Sequence, residues 1–129
     1  MDRFLLVFMM LASMSVSAKQ EIVFTPLTPV AFTMTKKDVA IVTYSIRNNT
    51  TTTKKLNVTL IKGMKVLKGD GYCGVGMVLL SKKNCTLSLQ LTGSELQGSI
   101  HDMPFLCTPD LAKCYYALSD DQMYIILKD

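Results

Sequence analysis

Few residues in this chain have types and spacings suited to chemistry. A hydrolytic triad needs a base within reach of a nucleophile, and the 129 residues include one histidine, His101, followed by Asp102. Neighbouring residues of a strand point to opposite faces, so His101 and Asp102 are poorly placed to act as base and orienter. Paired carboxylates could serve glycoside hydrolysis, but Asp120 and Asp121 lie in SDDQ, which reads as a loop. Residues 69–76, GDGYCGVG, are glycine-rich. No Lys-Ser/Thr pair or helical pattern follows them, so they do not form a phosphate-binding loop. No catalytic residue and no cofactor is expected. A small hydrolase would require a deep pocket converging on His101.

The four cysteines are Cys73, Cys85, Cys107 and Cys114. An even count in a small exported protein reads as disulfides. Of the three pairings, Cys73–Cys85 and Cys107–Cys114 are favoured, because each closes a short polar stretch rich in turn residues. Zinc sites usually bring two ligands within two to four residues of each other. No two of these cysteines are that close, so no metal is expected. With all four oxidised, a thiolate nucleophile is not expected either.

Binding is the remaining chemistry. The chain has 14 basic and 10 acidic residues, a net charge of +4. Residues 19–83 hold eleven basic against three acidic residues, a balance of +8, and residues 84–129 hold two against six, a balance of −4. If the fold separates these halves, one face is basic and suited to anionic surfaces. Otherwise the lysines are scattered and solvated. Lys54, Lys55, Lys82 and Lys83 flank two expected turns and are the first candidates for contact with a partner. Tyr115 and Tyr116 follow the last cysteine, and one of two successive strand residues must face outward. An exposed tyrosine there offers large contact area at low entropic cost. Asn48, Asn49, Asn57 and Asn84 begin N-x-S/T sequons. They are glycosylation acceptors only in a eukaryotic secretory pathway and read here as polar turn and strand positions. Nucleic acid is not an expected partner of an exported chain with few aromatics.

These residues must be positioned by strands. Residues 38–47, DVAIVTYSIR, place Ala40, Val42, Tyr44 and Ile46 on one face. The polar run NNTTTTK follows, then Leu56, Val58 and Leu60 alternate with polar residues, which suggests two antiparallel strands joined by a Thr/Asn-rich turn. Cys85, Leu87, Leu89 and Leu91 make the cleanest period of two, ended by Thr92-Gly93-Ser94. Further strands are expected at residues 21–24, 30–34, 100–106 and 124–127, while MVLL over residues 77–80 and then SKKN lead into the Cys85 segment. The strand over 100–106 is interrupted by Pro104 and so suited to an edge. Residues 94–99 have room for one helical turn. About seven short strands with regular turn signals point to a sandwich or small barrel.

The N-terminus places the domain. Residues 4–12, FLLVFMMLA, are too short to span a bilayer as a helix, which needs about 20 residues. Arg3 precedes them, and Val16 and Ala18 occupy the −3 and −1 positions of a small-residue cleavage site. This predicts a signal peptide over residues 1–18, cleavage after Ala18 and a secreted or periplasmic domain over residues 19–129. No second segment approaches transmembrane length.

The order VAIVTYSIRNNTTTTKKLNV, a Gly-rich turn with Cys73, then SKKNCTLSLQLTGS resembles bacterial immunoglobulin-like modules of the hydin-like and major-sperm-protein-like type. The likeness covers residues 39–116 and extends to small exported proteins of intracellular gram-negative bacteria that add a C-terminal cysteine pair ahead of a tyrosine. Cys107, Cys114 and Tyr115 would fill that role. Where those modules carry a Pro-Gly turn before the second cysteine, this chain has Ser81-Lys82-Lys83-Asn84. The resemblance implies a single antiparallel immunoglobulin-like β-sandwich, and binding or assembly rather than catalysis. The expected function is a non-enzymatic binding module directed to a protein or to an anionic lipid headgroup or glycan. An assembly protein that pairs by strand addition at an open edge is the alternative.

Overall fold

The computed structural model describes residues 20–129. The expected signal segment, residues 1–18, lies outside them. The described chain is all-β, with strands β1 (Ile22–Pro26), β2 (Ala31–Thr35), β3 (Val39–Asn48), β4 (Lys54–Val58), β5 (Met64–Val66) and β6 (Gly76–Leu79), followed by β7 (Asn84–Thr92), β8 (Ile100–Met103), β9 (Phe105–Cys107), β10 (Cys114–Tyr116) and β11 (Met123–Lys128). One 3₁₀ turn, Ser119–Asp121, precedes β11. The strands form sheets in the orders β1-β3-β7-β5, β10-β9-β4-β6 and β2-β11-β8. All pairings between strands are antiparallel except β2 with β11.

Period-two alternation is what assembles the core. Val42, Tyr44 and Ile46 of β3 and Leu87, Leu89 and Leu91 of β7 are fully buried, and the nine-residue β3–β7 register sets Val42 against Leu89 and Tyr44 against Leu87. Leu56, Leu106, Ile100, Met123 and Ile125 from the other two sheets join the same buried cluster. Each such side chain contributes about 1.5–3 kcal/mol by leaving water. The ring of Tyr44 meets Phe24 edge-on at 6.2 Å, and its hydroxyl donates to the Asp121 carbonyl at 2.6 Å. Burial holds that phenol's pKa well above its ordinary range.

Several expectations need correction. Eleven strands stand where about seven were expected, because β5, β6 and β10 are too short to show a period and the stretch over 100–106 divides. The peptide between Met103 and Pro104 is cis, and β8 and β9 on either side of it belong to different sheets. Asp102 takes a left-handed φ of 61°, and His101 and Asp102 are both exposed. β3 and β4 are not a hairpin: β3 pairs with β1 and β7, and β4 with β6 and β9. Leu60, expected to continue the β4 alternation inward, lies beyond that strand and is exposed. The expectation of at most one helical turn after β7 agrees with the structure, where the Glu95 and Leu96 N–H groups both donate to the Thr92 carbonyl and the turn goes no further. Among the described residues no helix is long and apolar enough to cross a membrane.

The disulfides are Cys73–Cys85 and Cys107–Cys114, the two pairs favoured from the sequence. The first ties the glycine-rich turn to the start of β7. The second bridges directly opposite residues of β9 and β10, whose Cα atoms are 4.0 Å apart.

Candidate functional site

One end of the molecule gathers the lysines singled out by sequence, and a buried asparagine explains how. Asn48, the last residue of β3, is completely buried. Its side-chain amide donates to the carbonyls of Thr52 and Leu79, each at 2.9 Å. Its Oδ1 accepts from the Thr50 N–H at 2.9 Å and the Thr50 hydroxyl at 2.6 Å. All the hydrogen-bonding capacity of this buried amide is therefore used, as burial of a polar group demands. The bonds fold residues 49–53 against the end of β6 and deliver the chain into β4 of the other sheet.

The same junction fixes the turn between β6 and β7. The Lys82 N–H donates to the Asn48 carbonyl at 2.8 Å, the Asn48 N–H donates to the Lys83 carbonyl at 2.9 Å, and Ser81 Oγ donates to the Thr50 carbonyl at 2.6 Å. Lys82 sits at a φ of 62°, and its Nζ donates to the Asn49 carbonyl at 2.7 Å. Lys82 and Lys83 are exposed there, beside the loop that leads into Lys54 and Lys55. Arg47, opposite Asn84 in the β3–β7 register, adds a further cation at this end.

Lys54 and Lys55 also border a shallow groove of about 530 Å³, lined by Thr53, Lys54, Lys55, Thr108, Pro109, Asp110, Ala112 and Lys113. Its other wall is the β9–β10 turn closed by Cys107–Cys114. The turn is stiff. The Thr108 hydroxyl donates to Asp110 at 2.6 Å, the Ala112 N–H donates to the same carboxylate at 3.1 Å, and the Thr108 N–H donates to the Lys113 carbonyl at 2.9 Å. The donation by Thr108, with that from Ala112, holds the Asp110 carboxyl below its ordinary pKa. Lys113 pairs with Glu21 and lies 5.2 Å from the centre of the Tyr115 ring. The Lys113 hydrogen bond lowers the Glu21 pKa, and Glu21 raises that of Lys113. Three lysines face one aspartate among the lining residues, a local balance of +2.

The structure thus brings Lys54 and Lys55 to one groove, and places Lys82 and Lys83 on the neighbouring turn outside its lining. The tyrosines separate. Tyr115 is buried under Lys113, while Tyr116 is half exposed, its ring 5.4 Å from that of Phe105, and neither lines the groove. His101 packs its exposed ring against Tyr124 at 4.7 Å, away from the groove. Sequence reasoning missed Lys113, Asp110 and Asn48. The signal for the first two was the polar seven-residue spacing between two cysteines, which fixes a loop tip. Asn48 gave none, because it reads as the first of several turn residues.

No protein-family model matches this chain, and no curated protein matches it.

Proposed function

We propose that this is a secreted or periplasmic, non-enzymatic binding module of the immunoglobulin-like kind, whose lysine-rich end contacts an anionic lipid headgroup or an acidic glycan. The observation that carries the reading is the groove in which Lys54 and Lys55, at the start of β4, meet Lys113 of the β9–β10 turn. Ammonium groups gathered along one open groove attract oxyanions while remaining solvated. The shallow, open shape suits a surface or an extended chain better than an enclosed small molecule.

The sheet order supports the architectural part. β8 and β9 follow each other across Pro104, and β10 and β11 flank the 3₁₀ turn, so each pair reads as one interrupted strand. Joined that way, the sheets reduce to β1-β3-β7-β5 facing a layer of β2, β10/β11, β8/β9, β4 and β6. Immunoglobulin-type sandwiches pair a four-stranded sheet of this order with a sheet built from the third and last two strands. β6 is an addition at the far edge. Two disulfides favour an oxidising compartment, which agrees with the signal segment expected at residues 1–18.

Retention on vesicles and on polysaccharide tests the reading. The processed protein should bind vesicles rich in anionic lipid, or an acidic polysaccharide, at low salt. Binding should weaken as salt rises, because the screening length falls from about 10 Å at 0.1 M to about 3 Å at 1 M. Each lysine near an anionic membrane adds on the order of 1 kcal/mol, so reversing Lys54 and Lys55 to Glu should weaken retention by tenfold or more while leaving the fold intact. Neutral vesicles and neutral polysaccharide identify which anion source matters. Equal binding by the reversed variant would remove the lysine end from consideration.

A further inference from the structure

We infer that the lysine-rich end is a membrane-insertion tip, at which Leu80 and Leu111 enter the acyl boundary of an anionic bilayer while the surrounding lysines hold its headgroups. The inference rests on the anionic-surface reading above and commits it to lipid. Single exposed apolar side chains are ordinary on a protein surface. These two are set apart by position. Leu80 opens the turn LSKK and Leu111 stands in the turn TPDLAK. Leu111, 72 % exposed, is the most exposed large hydrophobic side chain among the described residues, and Leu80 is 55 % exposed.

The strand register brings both to one end. β4 lies between β6 and β9. Leu79 is opposite Lys54, so Leu80 follows just beyond the start of β4. Cys107 is opposite Asn57 in an antiparallel pair, so residues 108–113 continue past Lys55 and Lys54 toward the same end. Two strand spacings, about 10 Å, separate the flanks that carry the two leucines. Both turns are held. The Asn48 amide donates to the Leu79 carbonyl before Leu80, Ser81 Oγ donates to the Thr50 carbonyl after it, and the Leu80 carbonyl accepts from the Lys83 N–H at 3.1 Å. Leu111 donates its N–H to the Thr108 carbonyl at 2.8 Å inside the turn closed by Cys107–Cys114, with a left-handed φ of 60°. Asn or Gly adopts that backbone more readily than leucine. Turn geometry alone therefore does not account for an apolar side chain at this tip.

Charge selects the occupant. Arg47, Lys54, Lys55, Lys82, Lys83 and Lys113 lie at this end against Glu21 and Asp110, a local excess of four positive charges. Protein interfaces are depleted of lysine and are built around one packed apolar centre, whereas here two separate leucines are ringed by ammonium groups. An acidic glycan would use the lysines and leave the leucines in water. An anionic bilayer meets both, with charge at headgroup level and hydrocarbon beneath, and attachment to it grows with buried apolar area and with attraction to the headgroups. The Asp110 carboxylate, which such a surface repels, already accepts from the Thr108 hydroxyl and the Ala112 N–H.

The chain has no tryptophan, so Leu111→Trp supplies a fluorescent probe without background. On vesicles of equal parts phosphatidylglycerol and phosphatidylcholine, its emission should shift to the blue and be quenched by lipids brominated high on the acyl chain. Val39→Trp, at a 61 % exposed position where β3 starts at the opposite end, should show neither effect. In the otherwise unchanged processed protein, Leu80→Ser with Leu111→Asn should lower partitioning onto those vesicles at least about tenfold. The same variant should keep its retention on an acidic polysaccharide and its fold, since Asn suits the left-handed position. Vesicle binding without a blue shift and quenching, or undiminished in the double variant, overturns the inference and leaves the anionic-surface reading standing. Binding to the polysaccharide alone does the same. Binding to neither surface overturns both.

Discussion

Replacing Asn48 by Ala should cost far more than its place in a polar run suggests. The substitution deletes four hydrogen bonds, two donated to the Thr52 and Leu79 carbonyls and two accepted from Thr50. Neutral hydrogen bonds contribute about 1 kcal/mol each, and an orphaned buried acceptor costs about 1–3 kcal/mol. Thr52 is exposed and water can replace part of its loss, but the bond to Leu79 is buried. A loss of about 2–4 kcal/mol follows, and a melting temperature lower by about 8–15 °C for a domain of this size. Asn48→Asp adds a further signature. Two carbonyls would face a buried carboxylate, so the folded state should raise that carboxyl's pKa above its unfolded value. The variant should therefore be most stable below the ordinary carboxylate range and lose stability as pH rises through the raised pKa. Thermal denaturation followed by circular dichroism across pH reads both effects. A shift of less than about 3 °C for Asn48→Ala, with the amide signals of residues 49–53 and 80–84 unmoved, would refute the idea that this side chain organises the lysine-bearing turns.

Other predictions follow from local geometry. At Gly93 an added Cβ would lie 2.2 Å from the Thr35 carbonyl oxygen, so Gly93→Ala should destabilise by several kcal/mol, whereas Gly98→Ala, which meets nothing within 4 Å, should be nearly neutral by denaturant titration. The Glu21 carboxyl should titrate below the ordinary range by NMR, and Lys113→Ala should return it toward that range. The pair's contribution is present above the ordinary Glu range and is lost as pH falls through the lowered value. It is small, since both groups are exposed. Replacing both Cys107 and Cys114 by Ser should cost about 2–3 kcal/mol of stability through the small loop they close. It should also loosen one wall of the groove, seen as faster amide exchange over residues 108–113.

Much of the strand content was legible because alternation in β3 and β7 is a direct record of burial. Val42, Tyr44, Ile46, Leu87, Leu89 and Leu91 all point inward as their spacing requires. Pairing was less legible. The run from Asn48 to Thr53 looks like a hairpin loop because polar residues separate two alternating segments. The buried amide of Asn48 turns that run into a crossing between sheets, and composition alone does not distinguish the two outcomes. Pro104 was visible as an interruption, but its division of one strand between two sheets depends on the backbone at Asp102 and Met103. At the candidate site, Lys54, Lys55, Lys82 and Lys83 were legible as turn-flanking charges. The convergence of Lys54 and Lys55 with Lys113 was not, because Lys113 comes from the acidic half of the chain and is brought across by the β4–β9 pairing.

The central claim, an anion-binding end built on two braced turns, is tested most directly by backbone amide shift mapping. The processed protein would be titrated at low salt with a short acidic oligosaccharide or a water-soluble anionic lipid headgroup. The account predicts saturable shifts clustered at residues 47–55, 80–84 and 108–113, diminished by Lys54→Glu with Lys55→Glu and by added salt. Shifts confined to the opposite end of the sheets, or none at any ligand concentration, would contradict it.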